Sequence, residues 1–150
     1  MTNETVAVRP LTLSWVNRHL EVGEQVAATV SLHGGITSEM RRLTISTGDG
    51  STRHLVLRSF VDPFYRAYAE DWLGRESGAL TLLAGTGVPA PQLVAVDPTA
   101  AHCEYPSLLM THRSGRTVLD DEGWRHAFPC WPVNSWRSTR CDPSSGPGSM

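Results

Sequence analysis

Between Gln25 and Ser59 the chain holds three strand-like runs separated by two short glycine-bearing segments, which leaves few folds open. The first is Val26-Ala27-Ala28-Thr29-Val30-Ser31-Leu32 after Gln25, the second Met40 to Ser46, the third Arg53 to Ser59. Their apolar and β-branched residues suit a pleated, half-buried surface. Gly48-Asp49-Gly50-Ser51 is a turn signal between the second and third. Strands joined by connections this short pair antiparallel, so the spacing predicts a meander.

Helical spacing flanks the meander. Trp15, Val16, His19 and Leu20 recur at that spacing after Ser14, the predicted N-cap, and Gly23 is placed to end the segment. Residues 1–13 read as a lead-in. Asp62-Pro63 has the form of a helix start, with Asp as N-cap and Pro in the first turn. One long helix is predicted from Pro63 to about Ala84, stopped by Gly85 and Gly87. Gly74 and Gly78 each cost roughly 1 kcal/mol relative to alanine and mark where it could break. After the extended link Val88-Pro89-Ala90-Pro91, Leu93 to Val96 and Ser107 to Thr111 read as two more strands around an Asp97-Pro98 turn. The expected fold is α+β: an antiparallel sheet of about five strands with one long packed helix, over residues 14–121.

A chain of 150 residues that is 40% hydrophobic and 19% charged can bury one core, and is too short for two full lobes. Net charge is −2 with both signs interspersed, which gives no electrostatic case for nucleic acid or an anionic membrane. No apolar run approaches the ~18 residues of a membrane span, and the start lacks a signal peptide's basic and apolar regions. A soluble cytoplasmic protein is expected. Three cysteines form no CxxC pair, and the six histidines show no metal-ligand spacing, so neither a disulfide framework nor a metal site is expected. All thirteen basic residues are arginine.

Chemistry concentrates at two places. Leu32-His33-Gly34-Gly35-Ile36-Thr37-Ser38 joins the first two strands. Its glycines let backbone N–H groups approach an anion, and Thr37 and Ser38 add hydroxyls. A hairpin that merely needs positive φ is the alternative. On the third strand Arg58 shares a face with Val56, while Leu55 and Leu57 point the other way. On the long helix Leu73, Glu76, Leu80 and Leu83 fall on one stripe, which sets a carboxylate among core residues and calls for a cation. Arg58 is the natural partner; two separately solvated surface charges are the alternative.

In order, these parts resemble the small, ATP-binding lobe of aminoglycoside phosphotransferases and the wider kinase-like phosphotransferase family. The stretches that carry the likeness are the glycine segment, Leu55-Val56-Leu57-Arg58, Gly74-Arg75-Glu76-Ser77-Gly78-Ala79-Leu80, Gly87-Val88-Pro89-Ala90-Pro91 and Leu108-Leu109-Met110-Thr111-His112-Arg113-Ser114-Gly115. The resemblance implies that Gly34, Gly35, Thr37 and Ser38 cover ATP phosphates, and that Arg58 is the strand-three cation with Glu76 as its helix partner. Val56 is implied to line the adenine pocket and Met110 to close its back. The backbone from Thr111 to Arg113 is implied to form the hinge at the adenine edge. Arginine in place of the family's lysine changes a compact ammonium into a planar fork.

The family's catalytic half is missing from the pattern. No His-Gly-Asp loop followed by Asn occurs, nor a later magnesium-binding Asp; Asp71-Trp72 has that dipeptide's look but lies inside the predicted helix. Magnesium belongs to the family, yet its ligands are absent here. The expectation is a truncated phosphotransferase lobe, inactive alone, whose acceptor in the full-length family is a small molecule. Self-association through the exposed lobe face is expected of such a fragment. The alternative is a non-catalytic nucleotide-binding or protein-interaction domain of the same fold.

Composition shifts after Trp124, where four of the ten prolines, two of the five tryptophans and two of the three cysteines crowd into the last 26 residues. Residues 122–150 are expected to be an irregular tail. Read from the third base of the Cys130 codon, the Cys130-Trp131-Pro132 stretch must begin Leu-Ala, and GC-rich codon choices continue it as an amphipathic helix. A frameshifted end and a genuine disordered one are the two readings. His33-Gly34-Gly35 also has the form of an esterase oxyanion turn, but no G-x-S-x-G elbow accompanies it.

Overall fold

The computed structural model describes residues 7–33 and 35–115. Gly34 and the expected tail at 122–150 lie outside the described residues. The architecture is α+β, as expected. Five strands, β1 (Gln25–Leu32), β2 (Glu39–Ser46), β3 (Thr52–Ser59), β4 (Leu93–Asp97) and β5 (Ser107–Thr111), form one sheet in the order β1-β2-β3-β5-β4. Every pairing is antiparallel. The β1-β2-β3 meander therefore forms as its turn spacing predicts, and the chain then leaves β3 through helices before returning to pair β5 beside it.

Alternation along the strands divides the core in two. Leu43, Ile45, Leu55, Leu57 and Leu109 point to one face and pack with Trp15 and Val16 of helix α1 (Pro10–Asn17). Val56, Leu108 and Met110 point to the other, where they meet Leu73 and Leu80 of helix α3 (Ala69–Leu83) and Phe60. A bulge in β1 between Val26 and Ala28 shifts its side-chain parity. Leu32 is thereby delivered to the α3 face while Val26 packs on the α1 face.

Both helices depart from the predicted boundaries. The first begins at Pro10 rather than after Ser14, because Pro10 fixes its first turn and the Glu104 carboxylate accepts from the N–H groups of Leu11 and Thr12. The second is divided into a short α2 (Pro63–Arg66) and α3. The break falls at Ala67–Tyr68 and not at a glycine: α3 runs through Gly74 and Gly78, whose missing side chains face open space. Asp62 caps α2 as expected, accepting from the Phe64 N–H at 2.8 Å.

Candidate functional site

Arg58 sits at the end of β3 beside the glycine segment, and α3 carries Glu76 across from it. Their side chains meet with Nη1 donating to Oε2 at 2.6 Å; Arg58 is 23% and Glu76 27% exposed. The expected pairing is therefore formed, at a site that solvent still reaches. Two further contacts orient the guanidinium. Its Nε donates to Ser38 Oγ at 2.9 Å, and its carbon lies 5.0 Å from the centre of the Phe60 ring. Among the described residues Nη2 of Arg58 has no partner. Ser38, by accepting from Arg58, keeps its own O–H available for donation.

The glycine segment earns its composition by crowding. A Cβ on Gly35 would stand 2.5 Å from the Ser38 carbonyl oxygen and 3.3 Å from Met40 Cγ. Gly35 is not among the glycines with positive φ, so close approach rather than a left-handed backbone excludes a side chain here. An open hollow of about 510 Å³ lies at this turn, lined by His33, Gly35, Thr37, Ser38, Met40 and Asp62 among others. It is large enough to admit phosphate groups.

Val56 and Met110 are brought together as cross-strand partners of β3 and β5. Packing against α3 leaves them only 6% and 9% exposed, and neither lines the hollow. Val56 and Met110 thus belong to the core on the α3 face, apart from the hollow at the glycine segment. At the hinge, the Thr111 N–H donates to the Gln92 carbonyl at 2.9 Å and the His112 N–H to the His54 carbonyl at 3.1 Å. Of that segment, the Arg113 N–H alone has no partner among the described residues. Asp71 pairs with Arg75 one helical turn away, at 2.7 Å, and Trp72 packs against Phe60 and Tyr68.

Sequence reasoning missed Phe60 and Met40. Phe60 follows Arg58 by two and lies beneath its guanidinium; Met40 is the cross-strand partner of Arg58. The available signal for Phe60 was its even spacing from Val56 and Arg58, which places all three on one face.

No family model matches the chain, and no curated protein matches it. Among solved structures, it is similar to a putative aminoglycoside phosphotransferase from Ralstonia eutropha, at 21% identity and a TM-score of 0.49. The match covers 73% of this chain and 29% of that one.

Proposed function

We propose that this domain binds ATP through its phosphates, as the nucleotide-holding lobe of a small-molecule phosphotransferase of the aminoglycoside type. The observation that carries the reading is the arrangement of Ser38, Arg58 and Glu76 beside a turn that only glycine fits at position 35. Glu76 and Ser38 fix two nitrogens of the guanidinium, which leaves Nη2 without a partner among the described residues. Arg58 itself does not line the hollow and is linked to it through Ser38. A cation held this way loses little freedom on binding. Ser38 and Thr37 add hydroxyl donors at the hollow.

The base end contributes less in this reading, because Val56 and Met110 are nearly closed over by the core. Arg113 supplies the hinge N–H for the adenine edge. Magnesium in this chemistry neutralises phosphate charge. Among the described residues no group of three His, Cys, Asp or Glu forms a preformed metal cage. Nor does the sequence hold the His-Gly-Asp and Asn pattern that orients an acceptor hydroxyl, so the proposed role is binding and positioning, with transfer dependent on groups supplied elsewhere.

A second reading, an interaction domain of the same architecture, draws on Phe64 and Tyr68, which stand 68% and 51% exposed beside Trp72. Sedimentation of the chain with and without ATP separates the two. Nucleotide binding by a monomer supports the first reading; self-association without nucleotide binding supports the second.

A further inference from the structure

The sheet contains four arginines, and three have a carboxylate partner. Arg41 meets Glu39 at 3.1 Å, Arg53 meets Glu24 at 2.7 Å and Arg58 meets Glu76 at 2.6 Å. Arg42 has none among the described residues. Its Nε is shut off from solvent without a hydrogen-bond partner. Arg41 Nε shares that condition, but the rest of its guanidinium is held by Glu39 and the Ala7 carbonyl.

The surroundings of Arg42 are also cationic or protonatable. Arg42 lies across from Val56, and its strand neighbour Thr44 lies across from His54 on the same face. Thr44 Oγ1 is 3.3 Å from His54 Nδ1. The His54 and His112 rings meet edge to face with centroids 5.9 Å apart, and the His112 N–H is tied to the His54 carbonyl. Burial, then the charges of Arg42 and His54, hold the His112 imidazole below its ordinary pKa. The groups acting on His112 are thus Arg42 from β2 and the His54 ring from β3, and among the described residues no salt bridge brings a carboxylate to Arg42. Arg42 is partly buried, with only its Nε shut off from solvent, and a ligand that brings a counter-charge to such a cation is favoured.

We propose that Arg42, His54 and His112 form a binding site for a phosphate-class oxyanion, at the end of the sheet face away from Arg58. The guanidinium fork donates to two oxygens, and the imidazoles donate from the flank. The site is distinct from the Arg58 turn, since His54 lies four residues along β3 from Arg58, roughly 13 Å at strand rise. His112 and the Arg42 partner Val56 adjoin the base end of the nucleotide reading.

The test is a titration of the full chain with inorganic phosphate, followed through the histidine ring resonances and set against chloride at equal ionic strength. Saturable shifts at His54 and His112, with a raised His112 titration midpoint in phosphate, are expected. Arg42→Gln should weaken phosphate by about tenfold or more, while Arg42→Lys keeps part of the affinity. Arg58→Gln should leave the His54 and His112 response intact. Three results overturn the proposal: equal shifts in chloride, a response at His33 alone (phosphate at the glycine turn only), or an Arg42→Gln response like wild type. Should Arg42→Gln not fold, the chloride comparison and Arg42→Lys still decide it.

Discussion

Glu104 holds the start of helix α1 from 92 residues away in sequence: its Oε2 accepts from the Thr12 N–H at 2.8 Å and from the Thr12 hydroxyl at 2.6 Å. Its Oε1 accepts from the Leu11 N–H at 2.7 Å. The carboxylate thus satisfies N–H groups that a helix start leaves open, and it places negative charge at the positive end of the helix.

Burial works to raise the Glu104 pKa, but the hydrogen bonds from Thr12 and Leu11 outweigh it and hold the group at about 2. A carboxyl depressed by folding stabilises fully above its unfolded value near 4.5, and that contribution is lost as pH falls toward 2. Glu104→Gln is expected to be less stable than wild type at neutral pH and to show a flatter loss of stability between those two values. Urea unfolding across that range checks it; parallel curves for the two proteins would remove Glu104 from the account.

Gly35→Ala should perturb the glycine turn, since its Cβ has a backbone oxygen and not a flexible side chain in its way. A loss of about 1–3 kcal/mol is expected, read as a lower urea midpoint. Gly74→Ala makes the control. That glycine lies inside α3 facing open space, so alanine should stabilise by up to about 1 kcal/mol.

Asp97 receives the N–H groups of Ala101, His102 and Cys103 at 2.8–2.9 Å and is buried. Asp97→Ala strands three donors and is expected to cost about 3 kcal/mol or more in unfolding free energy. Burial, together with the neighbouring Asp97 carboxylate, pushes the Cys103 thiol up to about 12. Peptide mapping after iodoacetamide treatment should find Cys103 unmodified in the native chain and alkylated once unfolded.

Local pattern made the sheet legible. Alternation fixed which of Leu55, Val56, Leu57 and Arg58 face which side, and the turn glycines fixed the meander. The helical stripe likewise placed Glu76 toward Arg58, because a carboxylate between Leu73 and Leu80 has to find a cation. What sequence did not reveal depends on distant partners. The start of α1 is set by Glu104, and the break between α2 and α3 falls where Tyr65 and Tyr68 both pack against Trp72. Arg42 was invisible for the same reason: its want of a carboxylate partner among the described residues is a property of the whole sheet.

Glu76→Gln should cost about 1–3 kcal/mol, since the pair is largely buried and the substitution leaves Arg58 without its counter-charge. A further effect is expected on ligand binding, where an unpaired Arg58 is free to swing away from the turn. Isothermal titration with ATP should show weaker binding at a temperature where thermal melting finds the variant still folded.

The most direct test of the account compares ATP binding by the wild-type chain with that of Arg58→Gln and Arg58→Lys. The account predicts measurable binding by wild type and a loss of about tenfold or more in Arg58→Gln. Arg58→Lys should fall between them, because it keeps the charge and gives up the fork. Equal affinity in all three proteins, or no binding by a folded wild-type chain, would contradict it.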